Sequence, residues 1–96
     1  MNREEALGLL NAQLENYRRM SYDELAGKIG DEEFPEVVGP SGTEYQIEIH
    51  ICWDHKPHGN VLVMGTIDDG TFRGAFKPVC NDLIVSPDDH DLDDEP

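Results

Sequence analysis

Basic residues and cysteines are scarce in this chain of 96 residues. Seven lysines and arginines stand against 21 aspartates and glutamates, which gives a formal net charge of -14. Binding to nucleic acid or to an anionic membrane needs a basic face, so we expect neither as a partner. The two cysteines, Cys52 and Cys80, are too few for a disulfide-rich secreted scaffold. We expect both thiols to be reduced.

Long apolar runs are also missing. No stretch approaches the roughly 20 apolar residues of a membrane-spanning helix, and the first ten residues lack the basic start and apolar run of a secretory signal. We therefore predict a cytoplasmic protein with a single domain over residues 1–87. Six of the last nine residues are acidic. Because like charges repel, we predict that residues 88–96 form a disordered acidic tail. Without that tail, fifteen acids and seven bases leave about -8.

Strict alternation of apolar and polar residues dominates the middle of the chain. Tyr45, Ile47 and Ile49 begin an apolar series that continues through residue 53, with a polar or small side chain between each pair. A period of two predicts a strand over residues 43–53 with one buried face. Residues 61–67 and 72–76 flank an Asp-Gly pair, which favours a type I′ hairpin turn.

The register of that hairpin follows from the turn. With Asp69-Gly70 as the two turn residues, Ile67 faces Phe72 and Val63 faces Phe76. Both pairs then lie on one face of the sheet, which agrees with a buried apolar layer.

Two helices are predicted before the sheet. Apolar residues recur at helical spacing over residues 3–19. Ser21 and Glu24 have the spacing of a capping box, so a second helix starts there and ends at Gly30. Residues 34–38 and 83–85 supply short further strands. We predict an α+β fold in which two N-terminal helices pack on one face of a four- or five-stranded antiparallel meander sheet.

The predicted core combines one face of the strands with the apolar side of the helices. Its sheet members are Tyr45, Ile47, Ile49, Ile51, Trp53, Val61, Val63, Ile67, Phe72 and Phe76. Its helix members are Leu7, Leu10, Leu14, Tyr17, Leu25 and Ile29.

Four residues near the end of the long strand are candidate metal ligands. His50 and Cys52 share the polar face of the strand, and His55 and His58 follow in a loop. Nitrogen and sulfur ligands suit a tetrahedral zinc ion. The spacing matches no zinc motif, so a polar loop without metal is the competing interpretation, and we predict no cofactor.

The same residues could form a thiol nucleophile and its base. Cys52 would then act with His50 or His55. Glu48 and Asp54 flank this thiol in the sequence, and nearby anions raise a thiol's pKa. This disfavours catalysis, so we lean towards a protein that is not an enzyme.

The outer side of the predicted hairpin carries apolar residues where the fold does not need them. Leu62, Met64 and Ala75 point away from the helices in this register, and Arg73 and Glu48 border them. An apolar strip inside a charged rim is typical of a modest protein interface. Alternatively, the long basic side chains fold over the strip and the face is only solvated.

Four segments resemble a family of small bacterial proteins of unknown function. They are residues 20–25, 39–43, 53–61 and 64–70. The resemblance spans most of the folded body, and it implies a bacterial cytosolic domain. The family has no assigned activity, so it implies no functional residue.

These features together favour an acidic protein-interaction or inhibitory module, similar in kind to an immunity protein or antitoxin. The expected partner is an unidentified protein with a basic surface, and the expected oligomeric state is a monomer or weak homodimer. The alternative is a metal-binding or small enzymatic domain that uses His50, Cys52, His55 and His58.

Overall fold

The computed structural model of the protein describes residues 2–70 and 79–87. Its elements, in chain order, are α1 (Arg3–Arg18), α2 (Tyr22–Ala26), β1 (Glu32–Glu33), β2 (Glu36–Val38), β3 (Glu44–Trp53), β4 (Val61–Asp68) and β5 (Val79–Val85). The strands form one antiparallel sheet in which β4 lies between β3 and β5, and both β1 and β2 pair with β3. The predicted α+β fold is confirmed, with five strands. Within the described ranges no helix is long and apolar enough to cross a membrane.

The core lies between the helices and one face of the sheet. The apolar alternation of β3 places Tyr45, Ile47, Ile49 and Ile51 in this layer, each at most 2% exposed. From α1 the buried residues are Ala6, Leu10, Leu14 and Tyr17, and from β5 they are Val79, Leu83 and Val85. Of the predicted core residues, Phe72 and Phe76 lie outside the described residues.

Leu7 was predicted in the core, and this prediction is wrong. Its side chain is 39% exposed. Ala6, Leu10 and Leu14 already form a stripe with spacings of four, and the next position along a helix is rotated by about 100° from it. Leu7 therefore lies at the edge of the buried face.

Gly65 lets α1 lie close to the sheet. It is a buried residue of β4, and it pairs with Ile49 of β3. A Cβ atom built on Gly65 would lie 2.8 Å from Cδ1 of Leu10 and 3.3 Å from Cδ1 of Ile49. The space that an alanine methyl would need is therefore filled by the helix side chain.

The second helix begins where the sequence predicts. Ser21 Oγ accepts the Glu24 N–H at 3.1 Å, and the Glu24 carboxylate accepts the Ser21 N–H at 3.2 Å. The helix ends at Ala26, with Gly27 as its cap, so the predicted end at Gly30 is four residues too late. Gly30 has a φ of 92° and donates its N–H to the Ile51 carbonyl at 2.8 Å.

The predicted edge strand over residues 34–38 is shorter, since β2 covers only Glu36–Val38, and the unpredicted strand β1 precedes it at Glu32–Glu33. Phe34 and Pro35 separate β1 from β2. The Pro35 carbonyl accepts the Ile47 N–H at 2.9 Å, but the proline has no N–H to return to the ladder. The interruption leaves the Phe34 side chain 62% exposed.

The predicted hairpin register is wrong. Ile67 pairs with Ile47 on one side and with Val79 on the other, so β3 and β5 occupy both edges of β4. The predicted pairing of Ile67 with Phe72, which lies outside the described residues, is therefore excluded. A type I′ turn needs positive φ at both central residues. Gly70 has a φ of 77°, whereas Asp69 does not adopt a positive φ.

All three tyrosines of the chain use their hydroxyl groups to tie the helices to the sheet side of the molecule. Tyr17 donates to the Glu33 carboxylate of β1, Tyr22 to the Gly59 carbonyl after β3 at 2.6 Å, and Tyr45 of β3 to the Glu5 carboxylate of α1 at 2.7 Å. We call these three hydrogen bonds the tyrosine ties. They hold both helices against the sheet in addition to the apolar core.

The Glu5 carboxylate also holds the turn before β3. It accepts the Ser41 N–H at 2.9 Å and the Ser41 hydroxyl at 2.8 Å. The hydrogen bonds from Tyr45 and Ser41 lower the pKa of Glu5. The hydrogen bond to Glu5, with burial, raises the pKa of Tyr45 to about 12. A Cβ atom on Gly39 would lie 2.6 Å from the Glu5 carboxyl carbon, so a larger residue there would push the carboxylate away from its hydrogen-bond donors.

Candidate functional site

The sheet face opposite the helices is called the outer face here. Because side chains alternate along a strand, the even-numbered residues of β3, β4 and β5 point to it. Two neighbouring rows of side chains cross β3, β4 and β5. They are Cys52, Leu62 and Ile84 in one row, and His50, Met64 and Asp82 in the next.

Three side chains of these rows form an apolar patch, which we define as Leu62, Met64 and Ile84. Met64 is 41% exposed and Ile84 is 50% exposed, while Leu62 is half-buried. The prediction that Leu62 and Met64 point away from the helices is confirmed. Their role in binding stays a prediction. Ala75 and Arg73, which were predicted beside them, lie outside the described residues.

The sequence reasoning missed Ile84. It placed a short strand at residues 83–85 but gave it no partner and no register. In the structure Ile84 pairs with Leu62, and its neighbours Leu83 and Val85 point into the core. The alternation of β5 is visible in the sequence as apolar residues at the inward-facing positions 79, 83 and 85. Asn81 interrupts this apolar pattern, because it is polar and its amide donates to the Asn11 side chain of α1 at 2.7 Å.

Carboxylates border the apolar patch on the Met64 side. Asp82 stands opposite Met64 on β5. On the other side of Met64, His50 lies between two carboxylates: its Nδ1 atom is 3.1 Å from Glu32 and its Nε2 atom is 2.6 Å from Glu48. Glu48 was predicted at this border, and the structure places it there. The patch is therefore bordered by negative charge on β1, β3 and β5.

Two adjoining grooves lie at the opposite end of the outer face. The first has a volume of about 340 Å³ and is lined by Glu36, Val37, Val38, Glu44, Tyr45, Gln46 and Asp69. The second has a volume of about 240 Å³ and is lined by Phe34, Glu36, Gln46, Ile47, Glu48 and Asp68. Each groove combines at least three carboxylates with an apolar wall, and Phe34 and Val38 are both more than 60% exposed.

The predicted metal ligands do not form a common site. His50 is engaged with Glu32 and Glu48 on the outer face. The His55 side chain is 88% exposed, 3.6 Å from Asp54. Over residues 2–70 and 79–87, no group of three or more histidine, cysteine, aspartate or glutamate side chains is arranged to hold a metal ion.

His58 has a structural role in the loop after β3. Its ring lies against Trp53 with 5.6 Å between the ring centroids, and its φ is 68°. The loop is closed by the Asp54 N–H, which donates to the Asn60 carbonyl at 2.8 Å, and the Tyr22 hydroxyl holds Gly59 from α2. The segment that carries much of the family resemblance is thus a hydrogen-bonded loop fixed to α2.

Neither Cys52 nor Cys80 is part of a disulfide. Cys52 on β3 is opposite Leu62, and Cys80 on β5 is opposite Thr66. β4 lies between the two cysteine strands, and four residues of it separate their positions. A disulfide between them is therefore excluded by the register.

The chain matches no protein family, and no curated protein or solved structure is significantly similar to it. The resemblance to small bacterial proteins of unknown function accordingly stays a prediction.

Proposed function

We propose that the protein is a non-enzymatic protein-binding module, inhibitory in the manner of an immunity protein or antitoxin, and that its outer face binds a basic partner. The observation that carries the proposal is the exposed apolar patch on the one sheet face that the helices leave open. The carboxylates at the border of the patch favour a partner with a positively charged surface.

The fold does not need apolar side chains in the patch. The core lies on the other face, and polar β-forming residues such as threonine would serve equally well at exposed strand positions. Complete burial of one such side chain is worth about 1.5–3 kcal/mol. Met64 and Ile84 are each roughly half-exposed, so a partner gains about 1 kcal/mol from each. This is the scale of a small central anchor in a standard interface.

The net charge of the protein indicates that the partner's surface is basic as well as apolar. With -14 on the whole chain, the protein attracts a basic surface over a distance of about one Debye length. Glu32, Glu48 and Asp82 border the patch and would set the orientation of a docked partner. We expect the association rate to fall as salt increases.

Site-specific photocrosslinking tests the proposal. A photoreactive amino acid is placed at Met64 or Ile84 in cells of the native organism, with Ala12 as the control position. Ala12 is exposed on α1, and two helical positions from the buried Leu10 turn it away from the sheet. We expect a basic protein, identified by mass spectrometry, to be crosslinked from the outer face and not from α1.

Binding of the purified partner is then measured with two variants. The double variant Leu62→Thr with Met64→Lys should fold normally and bind at least about tenfold more weakly, a loss of 1.4 kcal/mol. Ala12→Lys adds the same charge on the helix side and should bind like the wild type. Equal crosslinking from both faces, or unchanged binding by the folded double variant, contradicts the proposal.

A further inference from the structure

The second groove of the outer face has the chemistry of an arginine site. Resting on the proposed function, we propose that this groove, lined by Phe34, Glu36 and Glu48 among others, seats an arginine side chain of the partner. The apolar patch would then be one anchor of the docked partner and the groove a second.

Phe34 is the reason to choose arginine over lysine. Its ring is 62% exposed and forms a wall of a groove that also contains Glu36 and Glu48. A guanidinium is planar and weakly hydrated, so it can stack on an aromatic ring while it donates paired hydrogen bonds to carboxylates. A lysine ammonium lacks the planar fork that uses both features.

The negative charge of the groove is only partly compensated. Glu48 contacts His50, and Asp68 accepts the Gly70 N–H in the turn after β4. The Glu36 carboxylate forms neither a hydrogen bond nor an ion pair with any described residue. Glu36 is exposed, so its carboxylate is accessible to a cationic side chain of the partner.

The distance between the two anchors fits a single partner. Asp68 lines the groove, Met64 belongs to the apolar patch, and both lie on the outer face of β4. Four residues of a strand span about 13 Å. An extended segment of the partner would cover this distance with an arginine and an apolar residue four positions apart.

The experiment titrates the ¹⁵N-labelled full chain with N-acetyl-arginine amide, followed by NMR. N-acetyl-citrulline amide is the matched probe, because it has nearly the same shape but no charge. We expect saturable shifts of the amides near Glu36 and Gln46 with the arginine probe alone. Combining Phe34→Leu with Glu36→Gln should weaken this binding by about threefold or more.

Glu4→Gln is the matched control variant. Glu4 is an exposed acid in the first turn of α1, so its replacement changes the net charge as Glu36→Gln does. This variant should bind the arginine probe like the wild type. Shifts of equal size around all acidic residues, or equal binding of a lysine probe, would overturn the inference.

Two further outcomes decide the occupant. Probe binding that appears only in Arg73→Ala or Lys77→Ala shows that the chain's own side chain fills the groove, and the inference then fails. The proposed function is tested separately, by photocrosslinking from Met64 and Ile84. A partner that docks on the apolar patch while the groove binds no arginine leaves the proposed function standing.

Discussion

Gly65→Ala is the substitution that best tests how α1 packs on the sheet. The new methyl group would lie 2.8 Å from Leu10 Cδ1, 3.3 Å from Ile49 Cδ1 and 3.5 Å from the Asn81 carbonyl oxygen. Leu10 and Ile49 are both fully buried, so neither side chain has open space to move into. The backbone itself does not oppose alanine, because Gly65 has no positive φ.

Two effects of opposite sign set the magnitude. Adding a methyl group to a filled core costs about 1–3 kcal/mol. Replacing glycine restricts the unfolded chain and returns about 0.4–1 kcal/mol. We expect Gly65→Ala to lower the free energy of unfolding by about 1–2 kcal/mol, which shifts the melting temperature of a domain of this size by about 4–16 °C.

Urea denaturation measures this difference. Trp53 is the only tryptophan and packs against the core, so its fluorescence reports unfolding. Gly8→Ala is the control: nothing lies within 4 Å of a Cβ at Gly8, and alanine in an exposed helix position should stabilise by about 1 kcal/mol. The same change of residue should thus have opposite signs at the two positions.

A double-mutant cycle with Leu10→Ala isolates the contact. Leu10→Ala alone should cost about 2–5 kcal/mol. Combined with Gly65→Ala, it removes the clash and gives the methyl group room, so the double variant should lose less than the sum of the single losses. If Gly65→Ala is as stable as the wild type, or if the two losses simply add, the close approach of α1 is not what Gly65 provides.

Three other predictions concern pH, metal and the tail. The pKa of Tyr45 is raised from 10.0 to about 12. The protonated hydroxyl therefore stabilises the fold fully below pH 10, and this stabilisation is lost as the pH rises through about 12. Denaturation over this range should show the loss, and Tyr45→Phe should reduce it. Zinc should not raise the melting temperature, and a rise that disappears in His55→Ala would restore the metal hypothesis. Truncation after Pro87 should change the free energy of unfolding by less than about 0.5 kcal/mol, and circular dichroism melts of both chain lengths check this.

The sequence predicts the parts of the fold that depend on local patterns. The alternation around Ile47 is long enough to exclude a helix, and it predicted the correct buried face of β3. The capping box at Ser21 predicted the start of α2. In both cases the interactions that decide the structure lie within a few residues of one another.

The partner of β4 depends on a competition that local patterns cannot resolve. Residues 72–76 and Val79–Val85 both carry apolar residues at a spacing that fits the buried face. The Asp-Gly pair favoured the nearer segment, but the pairing of Ile67 with Val79 belongs to the farther one. Turn propensity contributes less than packing of a complete strand against α1.

The sequence predicted only those members of the candidate site that do not depend on which strands are neighbours. Leu62 and Met64 were placed correctly on the outer face, because successive side chains of a strand point to opposite faces whichever strand lies beside it. Ile84 and Phe34 depend on which strands lie beside them, so the sequence did not reveal them. The histidines were grouped by closeness in sequence, whereas His58 turns towards Trp53 and His50 towards β1.

The tyrosine ties also have a kinetic consequence. They join residues 16, 37 and 40 positions apart. Loop closure becomes less favourable only with the logarithm of loop length, so closing 40 residues costs about 0.8 kcal/mol more than closing 16. We therefore expect the Tyr17 contact, which brings the end of α1 to β1, to form before the contact between Tyr45 and Glu5. The start of α1 would then join the sheet after its end, and the helix would dock from its C-terminus towards its N-terminus.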